Sequence, residues 1–133
     1  MKNSGFTIIE LLLVVAIIGI LATLALTNFS LFKSDALNAT AVSDARGLAP
    51  GVDMVATQAL GSPPTIPPFT GAGGPVLDSG GQPAIPGGKT SPGTFGTIDF
   101  PAPNQYVIKT FQNGGDCFTL ANGVMTSSPG ACT

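Results

Sequence analysis

The sequence predicts an α+β protein. One long N-terminal helix, its first half apolar on every face, packs through its second half on a small C-terminal antiparallel sheet. Three observations carry this. Residues 6–26 are almost uninterruptedly apolar, and Glu10 is their one charge. Between Leu37 and Ala59 apolar residues recur at steps of three and four. After Gln105, short β-branched and aromatic runs alternate with glycine-containing turns.

The helix comes first. As a helix, residues 6–26 measure about 31 Å, close to one bilayer core. A helix apolar all round lies in lipid or in the dry centre of something larger. Glu10 is the exception. A carboxylate near the end of a membrane segment costs on the order of a few kcal/mol unless it finds a partner. A charge kept at that position has a task.

Gly5-Phe6-Thr7-Ile8-Ile9-Glu10, followed at once by the apolar run, resembles the N-terminus of the type IV pilins, called prepilins before processing. The family also includes the pseudopilins of type II secretion. The resemblance is close over residues 5–46 and fades beyond. It implies the type IV pilin fold and a class a-like major pilin. It implies a leader over residues 1–5, cut between Gly5 and Phe6 by a membrane prepilin peptidase that then N-methylates Phe6. Glu10 becomes the fifth residue after the cut. Its implied partner is the methylated Phe6 amine of a neighbouring subunit, which sets the register of assembly. An ordinary secretory signal peptide is the rival reading. The apolar run is too long for one, holds Glu10, and lacks a clear small-x-small cleavage site.

Residues 6–27 form the transmembrane and filament-core segment. Lys2 holds the leader in the cytoplasm by the positive-inside bias, which places the rest outside. Many family members have proline where this chain has Thr27. Residues 28–60 read as an amphipathic continuation. Leu37, Ala41, Ala45, Leu48, Val52, Val55 and Ala59 share one face, toward the sheet. Phe29, Phe32, Ala36 and Ala39 form a second stripe, toward neighbouring helices. Pro50 removes a backbone donor, yet the stripe keeps its phase, so a single kinked helix is expected. Two sequons, at Asn28 and Asn38, fall on the helix and read as chance matches.

Residues 61–103 form a variable loop in which nearly half the residues are proline or glycine. Pro63-Pro64, Pro67-Pro68 and Gly73-Gly74 exclude a regular helix or a central strand there. The sheet begins within residues 94–100. Residues 104–133 form an antiparallel meander. Strands at 106–111, 117–120 and 124–126 are joined by Asn113-Gly114-Gly115 and the hairpin signal Asn122-Gly123. Pro129-Gly130 turns the chain so that Cys132 approaches Cys117. Past a membrane-crossing start the two cysteines face an oxidising compartment, where they can pair. A terminal bridge of this kind also resembles the pilins.

Composition bounds the function. The 133 residues carry 9% charged side chains and a net charge of −2, with no basic footprint for nucleic acid. There is no histidine, which removes the commonest general base and histidine metal sites. No acidic loop of the calcium type surrounds Asp99 or Asp116. No catalytic residue, metal or cofactor is expected. The expectation is a structural subunit of a type IV pilus, serving adhesion, twitching motility or DNA uptake. Its partners are identical subunits, the prepilin peptidase, the assembly machinery and the inner membrane, where it sits as a single-pass protein before export into the surface filament. The alternative is a pseudopilin of a type II secretion system.

Overall fold

The computed structural model describes residues 5–59, 62 and 64–132. Residues 1–4 of the expected leader and the expected helix end at Leu60 lie outside the described residues. Helix α1 spans Ile8–Gln58, followed by β1 (Phe69–Thr70), β2 (Gly74–Pro75), β3 (Lys89–Thr90), β4 (Thr94–Asp99), β5 (Val107–Gln112), β6 (Cys117–Ala121) and β7 (Val124–Ser128). By internal contacts the chain divides into two compact units, Met1–Lys33 and Ser34–Thr133.

In the first unit the apolar side chains of α1 are exposed, Ile8 and Leu26 to 81% and 74%. The helix is long and apolar enough to cross a membrane. Two of its polar side chains turn back on the helix itself. Thr23 Oγ1 donates to the Ile20 carbonyl at 2.7 Å, and Asn28 Nδ2 to the Leu24 carbonyl at 3.2 Å. Such back-bonding satisfies polar groups where no water is available.

The second unit holds the core. Ala41, Ala45, Leu48 and Val52 of α1 are fully buried, with Ala56 nearly so. Leu37, Val55 and Ala59 continue the stripe half-buried, while Phe29, Phe32, Ala36 and Ala39 are exposed. The helix runs on through Pro50. Opposite the stripe stands a five-stranded antiparallel sheet in the order β1-β4-β5-β6-β7. Its inner face presents Ile98, Ile108 and Leu120 to the core, and Tyr106 closes one end.

The meander follows its turn chemistry. Asn122 and Gly123 sit at φ 48° and 87°, and Ala121 pairs with Val124. A two-residue loop left-handed at both positions matches the twist of its strands, which is why Asn-Gly marks it in sequence. Residues 61–103 hold more order than their composition suggests. Here β1 pairs with β4, β2 with β3, and Ile66, Val76 and Ile85 enter the core. Gly71, Gly73, Gly81 and Gly93 sit at positive φ, where the backbone turns. At Gly51 a Cβ would fall 2.5 Å from Ile85 Cγ2, so a bare backbone lets the loop lie on the helix.

Gly96 is the tightest position of the sheet. A Cβ there runs into the Lys109 carbonyl and the Phe69 ring. Gly96→Ala therefore forces β4 from β5 and destabilises by about 3 kcal/mol, since overpacking moves backbone. The check is the denaturant midpoint of the variant; an unchanged midpoint contradicts the prediction.

Candidate functional site

Gly5, Phe6 and Thr7 precede the helix and are exposed. Nothing lies within 4 Å of where a Gly5 side chain would begin, and Phe6 is 79% exposed. The bond between Gly5 and Phe6 thus lies in non-helical chain, clear of the other described side chains.

Thr7 and Glu10 form a reciprocal cap at the start of α1. The Thr7 N–H and hydroxyl both donate to Glu10 Oε2 at 2.8 Å, and the Glu10 N–H donates to Thr7 Oγ1 at 3.4 Å. A helix start leaves backbone N–H groups without partners, and threonine with glutamate three residues on satisfies two of them. The negative side chain also lies at the positive end of the helix dipole. Among the described residues Oε2 takes both bonds and Oε1 takes none. The carboxylate is therefore held in place while its second oxygen has no partner among the described residues. Thr7 was legible as the first residue of a threonine-x-x-glutamate signal, but the sequence reading passed over it.

Far along the chain, Cys117 and Cys132 are bonded, with Cα atoms 4.9 Å apart. Cys117 is buried, and Cys132 Sγ lies 3.7 Å from the Thr110 carbonyl. The bridge ties the C-terminal segment back to β6. Closing a loop of this size stabilises by about 3 kcal/mol in the chain-entropy model. Cys132→Ser is expected to lower stability by that amount, read as a lower thermal midpoint. The wild-type protein after reduction should fall to the same midpoint.

Three polar ties join α1 to the sheet, one per helical turn. At Asn38, Oδ1 accepts from the Asp116 N–H at 2.8 Å and Nδ2 donates to Asp116 Oδ2 at 3.1 Å. That side chain is engaged at both ends, in keeping with a chance sequon. The Ala41 carbonyl accepts from Thr110 Oγ1 at 2.9 Å. Asp44 is buried and accepts from the Ser91 N–H at 2.8 Å, Ser91 Oγ at 2.9 Å and Thr94 Oγ1 at 2.5 Å. The sequence reading missed Asp44. A single acid beside the alanine stripe reads as a solvated residue until its partners, some fifty positions away, are seen.

Among the described residues no group of three His, Cys, Asp or Glu side chains is placed to hold a metal.

The family model of the prokaryotic N-terminal methylation motif matches residues 1–26. Over 47 residues the chain is 47% identical to the type IV major pilin protein PilA of Myxococcus xanthus, a stretch covering 35% of this chain and 21% of the relative. The chain thus matches about a fifth of the length of that curated relative. No solved structure matches it.

Proposed function

We propose, from the similarity of its N-terminal segment to the type IV pilins, that the protein is the structural subunit of a type IV pilus and not an enzyme. One observation carries the reading: an apolar helix with exposed side chains, headed by a capped carboxylate with one oxygen open. Before assembly the first half of α1 sits in the inner membrane as a single span. The prepilin peptidase cuts between Gly5 and Phe6, and the new Phe6 amine is methylated.

When helices bundle, the apolar faces meet one another in place of lipid. Glu10 Oε1 then accepts from the charged Phe6 amine of a neighbour, a charge-assisted bond in a dry setting. Thr7 keeps the carboxylate aimed while that happens. The same patch on each subunit meets a different patch on the next, so the contact repeats without closing and yields a helical filament. The unit from Ser34 onward is displayed outside and held by its disulfide. That bridge favours a pilus subunit, of the class a-like major kind, over a secretion pseudopilin. Adhesion, twitching motility or DNA uptake are the tasks such a surface filament performs.

Mass spectrometry of the protein from assembled filaments tests the reading. The chain should start at Phe6 and carry one added methyl group. A bulky residue in place of Gly5 should leave the uncut protein in the membrane, because a side chain then stands at the cleaved bond. Filaments built from chains that retain Gly5 would refute the assignment.

A further inference from the structure

We infer that Thr94 and Gln112 form an intramolecular ester cross-link, with Asp44 as the proton carrier, by loss of ammonia. This modification is independent of the filament reading. Thr94 opens β4 and Gln112 closes β5, and the two stand directly opposite in the register. Gln112 Nε2 donates to Thr94 Oγ1 at 2.7 Å, and Thr94 Oγ1 donates to Asp44 Oδ2 at 2.5 Å. A hydroxyl, a carboxamide and a carboxylate are thus aligned in one chain of contacts.

The three groups are enclosed. Thr94 is fully buried, Gln112 is 5% exposed and Asp44 8%. Gly93 makes room for the carboxamide: a Cβ there would fall 2.7 Å from Gln112 Oε1. Cδ lies one bond beyond Nε2, and the last torsion of a glutamine is broad: a turn about Cγ–Cδ leaves Cδ in place and presents the face of its carbonyl to Oγ1.

The chemistry balances with the residues present. Asp44 takes the proton of the Thr94 hydroxyl, and Oγ1 adds to Cδ of Gln112. Asp44 returns that proton to Nε2. The Cδ–Nε2 bond breaks, ammonia leaves, and an ester joins the two side chains. No oxidant or reductant is needed. An ester is less stable than an amide in water. Two effects offset this: the high effective concentration of fixed neighbours and the escape of ammonia to solvent. Burial then shields the product from hydrolysis, because water does not reach it.

The test is mass spectrometry of the full-length protein purified from cells, reduced and cut with trypsin. Lys109 lies between the two residues, so trypsin separates them unless they are linked. The expected result is one species joining the peptide 90–109 to the peptide that starts at Thr110. It is lighter than their sum by one ammonia. Thr94→Val and Asp44→Asn should lack the link and Thr94→Ser should retain it. The Cys117–Cys132 bridge, read in an unreduced digest of each variant, reports that the fold persists. Two separate wild-type peptides of full mass overturn the proposal and leave an ordinary hydrogen bond. So does a deficit confined to the second peptide, which marks cyclised Asn113 or Asn122 instead.

Discussion

Glu10→Gln should leave the subunit folded and membrane-inserted yet nearly abolish filament yield, scored by shearing filaments from cells that make only the variant. Glutamine keeps the size of the side chain and an acceptor oxygen for the Thr7 N–H and hydroxyl. The cap therefore survives, and α1 starts where it did. Only the charge is lost. In the bundle the Phe6 amine of the next subunit then has no counter-charge. Removing one partner of a buried ion pair costs about 3–5 kcal/mol, which is more than a hundredfold in each subunit contact. Glu10→Ala should behave alike in assembly, and should insert into the membrane at least as readily, since a costly charge is gone. Wild-type filament yield from the glutamine variant would show that register does not depend on the charge. Glu10 would then be reassigned to recognition by the peptidase or the assembly platform.

The second large effect lies in the displayed unit. Asp44→Ala strands the Ser91 N–H and the Ser91 hydroxyl, which now share one carboxylate, and removes the proton carrier of the inferred Thr94–Gln112 link. It also opens a cavity between α1 and β4. Buried donors left without an acceptor cost about 1–3 kcal/mol each, and relaxation recovers part of this. The expected loss is about 3–4 kcal/mol, a large share of what a small domain has. Chemical denaturation of the wild type and variant measures it. A loss under about 1 kcal/mol would mean that water replaces the carboxylate and that the site is open.

These two residues also mark how far the sequence could be read. Glu10 stood out because local context alone made it costly: one acid in an apolar run. The alanine–leucine stripe, the start of the sheet within residues 94–100 and the Asn122-Gly123 hairpin were legible for the same reason. Their signals lie within a few residues of one another. Asp44 was not legible, because its meaning depends on Ser91 and Thr94, far off in the chain. The pairings of β1 with β4 and of β2 with β3 were hidden too. Two-residue strands have no periodicity to detect, and abundant proline and glycine read as absence of structure until the close approaches at Gly51 and Gly96 give each a place.

The buried apolar side chains begin at Ala41; before Lys33 the described side chains of α1 lie open. The two stretches of one helix therefore answer to different judges. A substitution after Ala41 is tested the moment a single chain folds, in any cell that makes it. A substitution among the exposed leucines and isoleucines passes that test unseen. Any selection on those positions acts between molecules. Folding in this protein is private to each chain, while the worth of its first stretch is collective.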